Sequence, residues 1–299
     1  MRTVDHSPAA ALSPDDLVSA FDNAPIGMAV VTPTGTITAC NTAMGALLRR
    51  APADLVGTTF FDVTHADDLE EARANCALMQ DGRTHILRHE CRFVRADGAT
   101  VWVSVSTSRV PGRPARPAHL IMHIEDVTER KDLEDELHHR ALHDPLTGLA
   151  NRDLLLARLG DALRSGGRHV RPGHLFYLDL DGFKGVNDAH GHAAGDAVLT
   201  EFADRIVRLL GPADTAARLG GDEFAVLRVD LDPEQADRTG AALRAAAARP
   251  FVLDGGTVVL SAAIGQVTVL PGAADGDAGS HLREADLRMY AGKKRGRRR

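Results

Sequence analysis

Two glycines followed at once by two carboxylates, Gly220-Gly221-Asp222-Glu223, constrain this chain more than any other stretch of it. They lie between the strand-like segments Thr215 to Leu219 and Phe224 to Val229. A Gly-Gly pair in that place suits a two-residue hairpin turn, whose central positions need φ > 0. Adjacent acids repel, and a fold tolerates them as a solvated pair or around a divalent cation. Upstream, the apolar run from His174 to Leu178 reads as a buried strand ending in Asp179-Leu180-Asp181-Gly182-Phe183-Lys184. Carboxylates at that strand end can meet those of a neighbouring hairpin. Several together make a hard-oxygen site for Mg²⁺, with Mn²⁺ as the alternative, and no nearby Cys favours zinc. Backbone amides at the start of the following helix, with Lys184, suit phosphate oxygens. Metal and phosphate together point to nucleotide chemistry.

Length and composition set the frame. At 299 residues with 44% hydrophobic and 25% charged residues, the chain has the size of two ordinary soluble domains. A net charge of −6 argues against general nucleic-acid binding. No apolar stretch approaches the roughly 18 to 20 residues of a membrane span, and no secretory segment opens the chain. Cys40, Cys76 and Cys91 are scattered, which suits free thiols in a reducing cytoplasm. Aromatics make up 4%, so the core is expected to rest on aliphatic side chains.

Residues 1–14, rich in Ser, Pro and Ala, read as a disordered leader. A short helix is expected over Asp15 to Phe21, a strand over Gly27 to Val31, a turn at Thr34-Gly35 and a strand over Thr36 to Ala39. Helices follow over Asn41 to Arg50 and Asp67 to Met79. Strands are then expected over Ile86 to Arg95, Val101 to Val110 and His119 to Asp126. This is mixed α/β of the α+β type with an antiparallel sheet. Within it, Asn23-Ala24-Pro25-Ile26-Gly27, Cys40-Asn41, Asp62 to Asp68, Arg95-Ala96-Asp97-Gly98 and Asp126-Val127-Thr128-Glu129-Arg130 resemble a PAS sensor domain, assigned to residues 15–128. The sequence does not name its ligand. Cys91-Arg92-Phe93 matches only the tail of the light-sensing motif and lies on a strand, which argues against a flavin adduct. His65, His85, His89 and His123 are each a haem ligand or, more ordinarily, a surface or packing residue, and a cofactor-free dimerising domain stands beside these readings.

Residues 129–143 read as a linker helix. Leu133, Leu137 and Ala141 share one face. That face either packs on its own domain or pairs with a second copy, and the stretch is shorter than the ~3–4 heptads that define a coiled coil.

Residues 144–299 resemble the GGDEF domain of diguanylate cyclases. The resemblance rests on four ordered motifs: Asp144-Pro145-Leu146-Thr147-Gly148-Leu149 with Asn151-Arg152; Asp179 to Lys184 with Asn187-Asp188, Gly191-His192 and Gly195-Asp196; Arg218 to Phe224; and Ala285-Asp286 with Met289-Tyr290, Lys293 and Arg297. It implies a palm-like, mainly antiparallel fold and condensation of two GTP into cyclic di-GMP across a homodimer joined through the PAS domain and linker. It also implies roles. Asp179, the Leu180 carbonyl and Asp222 would hold two metal ions for a two-metal phosphoryl transfer, with Glu223 sharing the second and with Asp222 and Glu223 at the reacting centre. Asn187 and Asp196 would read guanine, and Phe183, Lys184, Lys293 and Arg297 would hold phosphates. Taken alone, Asn187 reads equally as a helix cap. Gly292 and Gly296 weaken the last helix, and the remaining C-terminal cations read as a solvated tail. His190 and His192 have metal-like spacing but fall inside the family motif, where a structural role is the ordinary one.

One departure carries a consequence. Many relatives place Arg-x-x-Asp ahead of the hairpin as an inhibitory product site, and here the segment is Gly211-Pro212-Ala213-Asp214, without the guanidinium. Product inhibition is therefore expected to be weak. The expected protein is a cytoplasmic, PAS-regulated cyclase with no phosphodiesterase unit behind it. The rival is a catalytically silent domain that binds GTP or cyclic di-GMP and passes a signal on.

Overall fold

The computed structural model describes residues 13–114, 117–164, 172–254, 256–272 and 277–296. The chain divides into two compact units, residues 1–135 and 136–299. Most of the expected leader lies outside the described residues, but its last two positions are helical in function: Ser13 caps α1 (Pro14–Asp22) and shares a capping box with Asp16.

The first unit continues with β1 (Gly27–Val31), β2 (Ile37–Cys40), α2 (Thr42–Leu48), α3 (Pro52–Leu55), α4 (Leu69–Gln80), β3 (Ile86–Val94), β4 (Thr100–Val110) and β5 (His119–Asp126). Its sheet is antiparallel throughout, in the order β2-β1-β5-β4-β3. Strand β4 shows why: Val101, Val103 and Val105 alternate into the core while their neighbours face outward. Asn41 lies outside α2 as its N-cap, with a fully buried side chain. Its Oδ1 accepts from the Met28 and Met44 amides, and its Nδ2 donates to the Phe21 and Ile26 carbonyls. The far end of α2 stops at Leu48 because Arg49 turns left-handed, with φ 54°. The four-residue α3 and a 3₁₀ turn at Phe60–Val63 are too short to show a period in sequence. All three cysteines are free and buried. Burial first, then Asp68 and Glu71, pushes the Cys91 thiol up to about 12. A cavity of about 20 Å³ lies beside Cys76, His89, Thr107 and Met122, which is room for one water molecule.

The linker forms α5 (Thr128–Leu142) and buries none of its residues. Leu133 and Leu137 are 51% and 65% exposed, so this face does not pack on its own domain.

The second unit comprises α6 (Arg152–Arg164), β6 (Gly173–Asp181), α7 (Phe183–His190), α8 (His192–Val207), β7 (Thr215–Gly220), β8 (Glu223–Arg228), α9 (Pro233–Ala248), the small hairpin β9 (Phe251–Leu253) and β10 (Gly256–Val258), β11 (Ser261–Val269) and α10 (Ala278–Gly296). Its four-stranded antiparallel sheet has the order β11-β6-β8-β7. Both faces are covered. Phe176, Leu178 and Leu180 of β6 enter one apolar cluster, and Leu175 and Tyr177 enter the other, so β6 reads as a continuous apolar run. The core rests mainly on aliphatic side chains, with Phe93, Phe176, Phe202, Phe224 and Phe251 among its largest fully buried side chains. Scarce aromatics are concentrated where one large ring fills most volume, and Phe202 meets Phe224 edge to face at 5.1 Å.

Arg205 of α8 is buried without loss. Its guanidinium donates to the Ala246, Arg249 and Pro250 carbonyls, pairs with Glu201 and lies over the Phe251 ring. It satisfies carbonyls at the end of α9 and thereby ties α8 to α9. The last helix also differs from expectation: α10 runs unbroken through Gly292 to Gly296.

His174 at the start of β6 is 2% exposed, and neither ring nitrogen has a hydrogen-bond partner. Burial lowers its pKa, against the opposing pull of Asp237 and Asp232. A histidine held neutral in this way stabilises the fold above the unfolded pKa of about 6.5, and that stability is lost as pH falls below it. His89 in the first unit shifts the same way, so the informative quantity is a difference between proteins. Denaturant unfolding of wild type and His174→Leu should diverge in pH slope between about pH 7 and pH 5, with the variant flatter. Equal slopes would remove His174 from the pH response.

Candidate active site

The register of β6 decides where the acids meet. Asp179 and Asp181 lie on the same face of the strand as Tyr177. Asp179 stands directly opposite Glu223 on β8, and Asp181 opposite Ser261 on β11, whose hydroxyl lies 3.1 Å from its carboxylate. Like charges facing each other across strands destabilise. The Leu180 amide donates to the Asp222 carbonyl at 3.2 Å, which docks the turn onto the end of β6. The turn itself departs from the sequence reading. Gly220 pairs with Glu223, and the two loop residues are Gly221 and Asp222. A register shift between Arg218 and Gly220 displaces the hairpin by one position. Both glycines keep positive φ, at 146° and 52°.

The electrostatics follow from that packing. Burial chiefly, then Asp179 and Asp181, pushes the Asp222 carboxyl above its ordinary range, while its own backbone and Lys293 pull the other way. Burial and the hydrogen-bonded Glu223 carboxylate raise the Tyr177 hydroxyl. Lys293 lies between the strand-end acids, 2.5 Å from Asp179 and 3.3 Å from Asp181. Burial works against its charge, but these two carboxylates outweigh that and raise its pKa. Gly265 makes this placement possible: a Cβ there would lie 1.9 Å from the Ala285 carbonyl oxygen and 2.4 Å from the Met289 nitrogen. Only glycine lets α10 settle on β11 and carry Lys293 to the site.

The other expected residues gather on α7 and α8. Gly182, at φ 87°, turns the chain from β6 into α7. The Phe183 side chain is buried in the core, so only its backbone is offered to a ligand. Lys184 is exposed. A Cβ at Gly195 would sit 1.9 Å from Asn187 Oδ1, so α8 approaches Asn187 only through a glycine. Asn187 Oδ1 is buried with no partner in the protein, an unmet acceptor beside Asp196, whose side chain is exposed. The reading of Asn187 as a cap does not hold, since no side-chain cap closes α7 or α8. His190 and His192 are exposed. Arg297 lies outside the described residues. A cleft of about 610 Å³ opens beside Asp181, Gly182, Ser261 and Lys293.

Among the described residues no three acid, His or Cys side chains are preassembled around one ion; in this arrangement Lys293 compensates Asp179 and Asp181. The donor set nevertheless suits a hard divalent cation. All its ligands are oxygens, and Asp222 carries a charge that its surroundings disfavour. Sequence reasoning missed Tyr177, Ser261 and Gly265. None sits in a motif; cross-strand register brings Tyr177 and Ser261 to the site, and the seating of α10 on β11 involves Gly265.

Residues 141–299 match the family described as diguanylate cyclase, GGDEF domain, and residues 21–132 match the PAS fold. The diguanylate cyclase TpbB of Pseudomonas aeruginosa is 44% identical over 170 residues, covering 55% of this chain and 39% of that protein. An uncharacterized signaling protein of Caulobacter vibrioides is 32% identical over 279 residues, covering 90% of this chain and 32% of that one. The chain thus spans well under half the length of these curated relatives. Among solved structures, the coiled coil and GGDEF domain of DgcB from Caulobacter crescentus, in complex with c-di-GMP, aligns with a TM-score of 0.50 at 29% identity, covering 57% of this chain and 90% of that one.

A carboxylate whose folded pKa is raised destabilises the fold once pH climbs past its unfolded value. In chelator at neutral pH, Asp222→Asn should therefore melt at or above the wild-type temperature. Adding Mg²⁺ should raise the wild-type midpoint and leave the variant's nearly unchanged. A variant that melts lower in chelator yet gains equally from Mg²⁺ would contradict the electrostatic reading of Asp222.

Proposed function

We infer that this chain, which belongs to the diguanylate cyclase GGDEF-domain family, condenses two GTP molecules into cyclic di-GMP and two pyrophosphates. The observation that carries this reading is the meeting of Asp179 and Glu223 across β6 and β8, beside a half-buried Asp222 and a Lys293 between the acids. Each protomer of a homodimer binds one GTP. The 3′-hydroxyl of one attacks the α-phosphorus of the other, the bond to pyrophosphate breaks, and the hydroxyl proton passes to a base. Repetition in the opposite sense closes the ring.

The residues divide this work. Asp196 accepts from guanine N1–H and the N2 amino group, and Asn187 offers its unpartnered Oδ1 to the same edge. Lys184, the amides that open α7, Lys293 and Arg297 hold the phosphates. Asp222 accepts the proton in this reading, but metal positioning is its larger contribution, because a carboxylate bound to metal is a weak base. Tyr177 fixes Glu223 from below through their hydrogen bond. A divalent ion, Mg²⁺ or Mn²⁺, held by Asp179, the Leu180 carbonyl, Asp222 and Glu223 would acidify the hydroxyl and neutralise phosphoryl charge.

The exposed Leu133 and Leu137 support pairing of α5 with a second copy, through which the PAS unit regulates the output. Among the described residues no helix is long and apolar enough to cross a membrane, and we place the protein in the cytoplasm. Product control through the hairpin is weak in this reading. Asp214 is spent on structure: it accepts from the Gly211 amide, Arg228 and the Val229 amide, and its side chain is 6% exposed.

Three outcomes are expected from purified protein with GTP and Mg²⁺. Cyclic di-GMP and pyrophosphate form, and Asp222→Ala abolishes both; GTP bound without turnover by a dimeric sample would instead favour the silent rival. Asp196→Ser lowers kcat/KM for GTP by about 10²-fold or more and admits ATP, whereas unchanged discrimination would remove Asp196 from guanine reading. Added cyclic di-GMP inhibits only weakly, and Asp214→Ala acts by lowering the melting temperature; strong inhibition relieved by that substitution would contradict the structural role.

A further inference from the structure

The loop that leaves α5 is tied to the catalytic turn by part-buried and exposed hydrogen bonds that metal and substrate binding do not use. Asn151 begins it: its amide donates to the Leu142 carbonyl at 2.8 Å, and its Nδ2 to the Ala141 carbonyl at 2.6 Å. These are the last carbonyls of the linker helix, which would otherwise lack partners. Next comes Asp144, whose Oδ1 accepts from both the amide and the hydroxyl of Thr147. Arg218 of β7 donates from Nη1 to both oxygens of that carboxylate at 3.1 Å. Burial opposes ionisation of Asp144, but Thr147 and Arg218 hold its pKa below the usual range.

The other edge of the same guanidinium faces the turn. Arg218 Nε and Nη2 both donate to the Gly221 carbonyl, at 3.0 and 2.9 Å. The peptide so gripped is the one that joins Gly221 to Asp222. Arg218 is 12% exposed and Asp144 18%, so the pair is shielded from water and poorly screened. The planar fork of Arg can bridge a carboxylate and a carbonyl at once, which Lys cannot. On the far side of Asp222, its own carbonyl is fixed by the Leu180 amide. A glycine at φ 52° has no intrinsic preference that would hold this turn still; the two grips supply it.

We propose that Asp144 and Arg218 are positioning residues for the catalytic turn, and that through them the end of helix α5 sets the orientation of Asp222. The proposal rests on the cyclase reading for its kinetic consequence, but not for its structural one. It gives the linker a physical route to the reacting centre, confined to residues of the second unit.

The test uses the chain of residues 1–299 and two conservative variants, Arg218→Lys and Asp144→Asn, with the double variant. A displaced turn costs turnover rather than guanine contacts, so Arg218→Lys should lower kcat by about 10- to 100-fold and leave KM for GTP within about threefold. Asp144→Asn should show the same split with a smaller loss, and the double variant should be no worse than Arg218→Lys, because the two act as one unit. Without substrate, hydrogen exchange at the Leu180 amide should accelerate in each variant. Should Arg218→Lys fail to fold, Asp144→Asn decides by the same measurements. Turnover within twofold of wild type, additive losses, or unchanged Leu180 exchange would each overturn the proposal. If wild type forms no cyclic di-GMP, the cyclase reading fails, and the exchange experiment still judges the strap alone.

Discussion

Confinement of like charge is the condition on which the site depends. Two acids end a core strand, two more cap the adjoining hairpin, and one of the latter is half-buried with its pKa raised. Left to themselves they would push β6 and β8 apart, since carboxylates opposite one another across strands repel. The sheet holds because its cost is met elsewhere. Leu178, Leu180 and Phe224 are buried on the opposite face, and the ladder continues uninterrupted to His174 and Arg228. Apolar burial along the whole strand offsets electrostatic strain at its tip.

Lys293 is the second element of the balance. It reaches the acids because α10 lies against Gly265, and it stays ionised because two carboxylates outweigh its partial burial. A lysine so placed offsets the charge of the strand-end acids.

The packing of α7 on α8 applies the same economy to a neutral group. Asn187 Oδ1 is buried and unpaired, which costs free energy. Gly195 keeps the helices close enough for that strain to persist. Arg205, by tying α8 to the end of α9, keeps the helix that bears Asp196 from drifting away.

Much was legible in the chain alone. The apolar run before Asp179 identified the central strand, the glycine-rich acidic pentad identified a hairpin, and the strand over Val101 to Val110 was expected in an antiparallel sheet. Local sequence suffices there because period, turn chemistry and burial are properties of neighbours in the chain. It could not place Asn41 outside its helix, move the hairpin loop to Gly221-Asp222, or find Tyr177, Gly265 and Ser261. Those depend on which atoms arrive from distant segments to accept a hydrogen bond or exclude a Cβ. Residue types and their order determined what chemistry this protein can carry; cross-strand register and the close seating of α10 decided which charges face each other, because Coulomb and steric forces act across space rather than along the chain.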